Sequence, residues 1–266
     1  MKVTRLSSNA ASASPQLALR LIEAIGSHAF ATQVLESLED FVPASHCTIF
    51  GLKSNGRMEA LSSASAIGQI ATITAVDYMQ MGFDQLDSNT LWLSKRKPGR
   101  ERQFWMGHQF ASDVTHARYR QLCYDVPGIR ERLSLLSVFP DGYRISLSLY
   151  RNHSYPDYSV ADMHWLSLQA PILAAAVLRH VTLFPQSLTP RASEQELIST
   201  LSYRERQMVA HILDGLTTKE AAARIGIAQT TAATYRYRAF RHLGVGTLGE
   251  LFALMRSPPA CRKHYR

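Results

Sequence analysis

Cysteine is scarce in this chain. Cys47, Cys123 and Cys261 are odd in number, far apart and form no C-x-x-C. That excludes a disulfide framework and fits a reducing, cytoplasmic setting. No run approaches eighteen apolar residues, so no membrane-crossing helix and no membrane partner are expected. The chain has no G-x-S-x-G, no H-E-x-x-H and no glycine loop that would cradle phosphate. An enzyme, a metal centre or a cofactor is therefore not the expectation. His108 and His116 lie eight apart without a partner cluster, and Cys123 reads as a buried thiol. The paired acids and doubly wound pattern of a phospho-receiver domain are also missing. Residues 1–14 are Ser/Ala-rich and lack a long apolar core, so they read as a disordered leader, not a signal peptide.

What is present is an ordinary globular composition, 46% apolar, with a basic excess of +8. Its length suits one large domain or two moderate ones. The excess is uneven: residues 186–266 carry +6 and the other 185 residues carry +2. A polyanion partner would act on the C-terminal part. Pro185 and Pro190, with small polar neighbours, mark a linker over 184–195.

Beyond it, Ser202 with Glu205 and Thr217 with Glu220 have capping-box spacing, each opening a short helix. Met208, Val209, Ile212 and Leu213 make the apolar stripe of the first. Ala221, Ala222 and Ala223 keep the second thin, and Gly226 makes the turn. A third helix is expected over 230–243, with Ala232, Tyr235, Ala239 and Leu243 inward. Thr230, Ala233, Thr234, Tyr237, Arg238 and Arg241 would face outward, with Arg236 nearby. Hydroxyls, a phenol and guanidiniums suit phosphates and base edges. Thr247 with Glu250 opens a last helix, whose Leu248, Leu251, Phe252 and Met255 either cap the small domain's core or meet a second copy.

This stretch resembles the C-terminal DNA-binding domain of the LuxR/NarL family of bacterial transcription regulators. The matching residues are Leu201-Ser202 with Arg204-Glu205, Gly215 to Ala222, Ile225-Gly226-Ile227, Thr231, Arg238 and Leu243-Gly244-Val245. The resemblance implies a four-helix unit over 196–257 whose third helix enters the DNA major groove and whose fourth often dimerises. Lys219, Thr230, Ala233, Thr234, Arg236, Tyr237, Arg238 and Arg241 are then the DNA-binding set. Double-stranded DNA and a second copy are the implied partners, with RNA polymerase a further candidate. Ala228, Ala232 and Ala233 depart from the family pattern, as does Tyr237, so the operator sequence does not carry over. A protein-interaction adaptor that no longer reads DNA is the alternative, and Ala233 keeps it open. The tail 258–266 is basic, and 95–102 is a basic loop that reads as solvated or as a contact for DNA or an acidic partner.

Upstream, 15–183 reads as an α+β domain, an antiparallel sheet flanked by helices. Helical pattern covers 15–38, 69–81, 114–124 and 159–183. Strand pattern flanks Asn55-Gly56 and Pro140-Asp141-Gly142 in two hairpins, and 87–113 looks irregular. The order resembles sensor domains of GAF, PAS or autoinducer-binding type. In the autoinducer-binding type a Tyr precedes an Asp by nine residues, as Tyr78 precedes Asp87 here, and aromatics line the pocket. Tyr78, Asp87 and Trp105 are accordingly candidate ligand residues, with Asp87 accepting an amide proton and Tyr78 donating to a carbonyl. Equally, Tyr78 reads as core, Asp87 as a turn cap and Trp105 as packing on Phe104. A lactone, another small ligand and no ligand all remain open, since Thr74 and Ser88 replace the family's Trp and Pro.

Overall fold

A computed structural model describes residues 1–7, 13–27, 29–53, 58–66, 70–183, 198 and 200–256. The N-terminal domain is built on a six-stranded antiparallel sheet. Its strands are β1 (Lys2–Arg5), β2 (His46–Leu52), β3 (Met58–Ser65), β4 (Gln103–Phe110), β5 (Ile129–Val138) and β6 (Arg144–Asn152). They lie in the order β1-β4-β5-β6-β2-β3.

Successive strand residues point to opposite faces, and the two faces differ in chemistry. Cys47 and Ile49, Phe104 and Met106, Leu133 and Leu135, and Ile145, Leu147 and Leu149 share one face. Three helices bury it: α1 (Pro15–Ala24), α2 (Phe30–Leu38) and α6 (Val160–Leu183). Pro15 at the first turn and the Ser14 hydroxyl, accepting from the Leu17 amide, start α1. Ser159 and Asp162 cap α6 reciprocally, as their spacing predicts. Full burial of each Leu, Val or Phe here stabilises by about 1.5–3 kcal/mol.

The opposite face carries His46, Thr48, Arg132, Ser134, Ser146 and Ser148, all buried. It is covered by α3 (Ile70–Gln80), α4 (Ser88–Ser94) and α5 (Ala117–Arg120), the last continuing into a π-turn at Gln121–Asp125. A polar sheet face under a second layer must satisfy its hydrogen bonds internally, and this requirement shapes the site below.

The C-terminal domain is α7 (Tyr203–Leu213), α8 (Thr218–Ile225), α9 (Gln229–Leu243) and α10 (Leu248–Arg256). Both capping boxes form. Gly226 and Gly244 end their helices at φ 71° and 67°, a left-handed conformation that favours glycine. The architecture is thus an α+β domain joined to an all-α four-helix domain.

Three expectations change. Lys2–Arg5 is not part of a disordered leader; it pairs with Trp105 to His108 as an edge strand. Residues 87–113 are not irregular: α4 and strand β4, beside the edge strand β1, flank the basic loop 95–102, whose charge obscures both patterns. Finally, α6 is 24 residues long with a mean hydropathy of 1.4 over its most apolar window, so it passes a length-and-composition test for a membrane span. Leu166, Ala170, Leu173 and Val177 nevertheless lie in the core against the sheet. The Asn55-Gly56 turn, the linker 184–195 and the tail 258–266 fall outside the described residues.

Candidate DNA-facing helix and buried cavity

In the C-terminal domain, Ala232, Ala239, Phe240 and Leu243 of α9 pack on Met208, Val209 and Ile212 of α7 and on Ala221 and Ala222 of α8. Alanines at those positions let the helices approach closely. Tyr235 is half-buried, and Phe240 is an inward residue that the helical pattern alone did not single out. Thr230, Ala233, Thr234, Arg236, Tyr237, Arg238 and Arg241 are all exposed, as is Lys219 on α8. Tyr237, 66% exposed, is a large ring held out from the surface. Arg236 lies over the Phe240 ring at 5.1 Å and donates to the Thr218 hydroxyl at 3.2 Å, so it is braced against the domain. Leu251 is fully buried in the domain's own core, and Phe252 packs partly against it. Leu248 remains exposed. The Met255 side chain is outside the described set.

In the N-terminal domain the polar sheet face and its cover line a cavity of about 50 Å³, room for a few water molecules. Phe50 and Met58 line it from the sheet, Ala71, Thr74, Ala75 and Tyr78 from α3, and Tyr119, Cys123 and Tyr124 from α5 and the π-turn. Tyr78 and Asp87 both reach it, whereas Trp105 does not. Trp105 packs edge-on to Trp92 at 4.8 Å, in a cluster with Leu52, Leu93 and Leu136. It also does not pair with Phe104, because adjacent residues of a strand face opposite ways and Phe104 belongs to the other core.

Asp87 sits at the hub of a buried network. Its side chain caps α4, accepting the Asn89 and Thr90 amides, and also accepts from Tyr119 Oη at 2.5 Å and Arg132 Nη1 at 2.6 Å. Burial pushes the Asp87 carboxyl up, but the Arg132 guanidinium and the hydrogen bonds outweigh it and hold the group below the usual carboxylate range. Arg132 Nη2 extends the network to Ser88 and Gln109. Asn89 Nδ2 donates among Ser134, Ser146 and Ser148. Burial lowers His46 to about 4 and keeps its ring neutral.

Residues 199–255 match the family model described as bacterial regulatory proteins, luxR family. The C-terminal domain is a LuxR-family helix-turn-helix domain. Over 165 residues the chain is 25% identical to an Aeromonas salmonicida protein named "Putative HTH-type transcriptional regulator in exeN 3'region", covering 56% of this chain and 84% of that one. Escherichia coli SdiA has a TM-score of 0.45 at 13% identity, over 90% of this chain and 94% of that one. CepR2 of Burkholderia cenocepacia, an N-acylhomoserine-lactone-dependent LuxR-family transcription factor, has a TM-score of 0.41 at 14% identity, over 66% and 96%.

The LuxR-family domain docks on the outside of the cavity wall. Arg206 Nε of α7 meets Asp77 Oδ1 of α3 at 2.6 Å, both side chains buried, and Arg206 also donates to the Leu201 carbonyl. Val76 and Ile70 of α3 join the LuxR-family core, and Arg118 lies over the Tyr203 ring at 5.1 Å. Helix α3 therefore has two tenants. Tyr78 and Thr74 face the cavity, and Val76 and Asp77 face the helix-turn-helix.

Sequence reasoning missed Arg132, Tyr119, Asn89, His46 and the Asp77–Arg206 pair. His46 and Arg132 had a faint signal: polar residues at alternate positions of β2, β5 and β6 share one face. Such a face normally meets water. Nothing local could pair Asp77 with a residue 129 positions away.

Proposed function

We propose that this chain is a DNA-binding transcriptional regulator whose N-terminal domain holds a small ligand and adjusts the helix-turn-helix through α3. The observation that carries the DNA reading is the outward face of α9, where Thr230, Ala233, Thr234, Tyr237, Arg238 and Arg241 are all exposed on a helix whose other side packs through Ala232, Ala239, Phe240 and Leu243. Arg238 and Arg241 supply phosphate affinity, and Thr230, Thr234 and Tyr237 meet base edges in this reading. Lys219 adds a cation beside them. One short helix contacts too few base pairs to be selective, so two copies act together. Exposed Leu248 supports a contact through α10, while buried Leu251 serves the domain's own core.

Ligand sensing rests on the cavity and on the sharing of α3. A molecule seated against Tyr78 and Thr74 would press on the helix that also carries Asp77 and Val76. Occupancy would thereby bias how the DNA-binding domain is held, and with it the spacing of two such domains.

The test of DNA reading is a salt titration of the purified full chain on its own promoter fragments and on random DNA. A regulator loses affinity steeply with salt and still prefers its own fragments. Equal binding to both at every salt concentration rejects sequence reading and favours the adaptor alternative. Genome-wide mapping of bound sites would identify the operators.

A further inference from the structure

The basic loop 95–102 belongs to neither the DNA-facing helix nor the cavity, yet it is held in place. It carries Lys95, Arg96, Lys97, Arg100 and Arg102 against Glu101 alone. Arg144 donates to the Arg96 carbonyl at 2.9 Å, and Gln103 donates to the Lys97 carbonyl at 3.4 Å. The Arg96 guanidinium lies over the Trp92 ring at 4.2 Å. All five cations are exposed, and among the described residues none of them forms an ion pair. Like charges fixed this close repel one another, and an anion among them relieves the repulsion.

The loop ends beside the free edge of the sheet. Strand β1 is the outermost of the six and pairs only with β4. The Leu6 amide donates to the Phe104 carbonyl at 2.9 Å, continuing the register in which Arg5 lies opposite Trp105. Alternate residues of an antiparallel pair exchange such bonds, so Lys2, Thr4 and Leu6 spend their main-chain groups on β4. Val3 and Arg5 turn theirs to the open side. Lys2, Thr4 and Arg5 are exposed. At the end of the strand Arg5, Arg100 and Arg102 line an open groove of about 390 Å³.

The chemistry of the edge narrows the occupant. Val3 and Arg5 each present both an amide and a carbonyl. A nucleic-acid phosphate could take the amides but is repelled by the carbonyls, whereas an extended polypeptide satisfies both. A second copy of β1 would set Lys2 and Arg5 against the same cations, and like charges across a strand pair are destabilising. Position also disfavours operator DNA. Helix α3, on which the helix-turn-helix docks, packs against β3 and β2 at the other edge. That edge is roughly 24 Å away across the sheet.

We propose that the β1 edge and the basic loop form a docking site for an extended, acidic segment of a partner protein. The segment adds a further antiparallel strand through the main chain of Val3 and Arg5. Its carboxylates meet Arg5, Arg100 and Arg102, whose planar guanidinium forks suit bidentate pairing. This surface is independent of the cavity and of α9.

The test uses capped peptides of about seven residues, an ordinary strand length, that alternate valine with glutamate or valine with lysine. Binding to the full chain is measured by calorimetry. The glutamate peptide is expected to bind at least about tenfold tighter than the lysine peptide. Only every second residue of an added strand turns its amide to β1. N-methylation of one alternate set of amides should therefore weaken the glutamate peptide at least about tenfold, and methylation of the other set should leave it within about threefold. Arg5→Glu with Arg100→Glu, both exposed, should weaken the glutamate peptide about tenfold with an unchanged thermal melt. Equal binding of the two peptides, indifference to both methylations, or no binding of the glutamate peptide would overturn the proposal. So would a variant that loses affinity for random duplex DNA but keeps it for the glutamate peptide, because the loop would then be a DNA contact.

Discussion

Cutting the tie between α3 and α7 should cost more than any surface contact in this protein. Arg206 and Asp77 keep only 6% and 8% of their side-chain surface exposed and approach to 2.6 Å. Burial pushes the Asp77 carboxyl up, and Arg206 pulls it back only partly, so the group stays above its usual range. Removing the cation in Arg206→Met leaves that carboxylate without a partner in a site already costly for it, a loss of about 3–5 kcal/mol while the domains stay docked. Replacing both, Asp77→Leu with Arg206→Met, removes both desolvation penalties and should return to within about 1 kcal/mol of the parent. Urea unfolding of the parent, both single variants and the double variant measures the coupling, expected at about 2–4 kcal/mol. The pH dependence has a defined sign. A carboxyl raised in the folded state contributes stability that is fully present below its unfolded value and is lost as pH rises through the raised folded value. The parent should therefore show this loss on the weakly acidic side, and Asp77→Leu/Arg206→Met should not. Single-variant effects that simply add, with coupling below about 0.5 kcal/mol, would refute the interdomain tie.

Three other outcomes follow from the same geometry. Arg238→Ala with Arg241→Ala should flatten the slope of log affinity against log salt by about 2 if each arginine meets one phosphate, and an unchanged slope in a filter-binding titration would remove this face from the DNA. His46, lowered to about 4 by burial, keeps its stabilising contribution above pH about 6.5 and loses it as pH falls towards 4, a total of about 3 kcal/mol. His46→Gln should erase that part of the pH profile of thermal unfolding. Gly226→Ala places a Cβ at φ 71° and should destabilise the C-terminal domain by about 1–2 kcal/mol, read as a lower midpoint in its thermal melt.

Much of the C-terminal domain was legible from local pattern. Ser202 with Glu205, Thr217 with Glu220 and the glycine at 226 act within one turn of helix, so their spacing alone predicts where α7 and α8 begin and where α8 ends. The outward set on α9 followed from helical periodicity in the same way. In the N-terminal domain the helices over 15–38 and 69–81 and the hairpin at Pro140-Asp141-Gly142 were also local matters. Lys2–Arg5 and the strand containing Trp105 were not. They exist because each finds a neighbour across the sheet, and isolated segments of that composition carry no such instruction.

What the chain order determined by itself, then, was the helix-turn-helix and which of its side chains look outward, because caps, turns and helical faces depend on residues three or four apart. Only the tertiary structure decided that the polar faces of β2, β5 and β6 would be roofed over, not wetted. It made Asp87 the hub of Tyr119, Arg132 and the α4 cap, and it joined Asp77 to Arg206. Burial and long-range charge pairing depend on which surfaces meet after folding, and that information is spread over the whole chain.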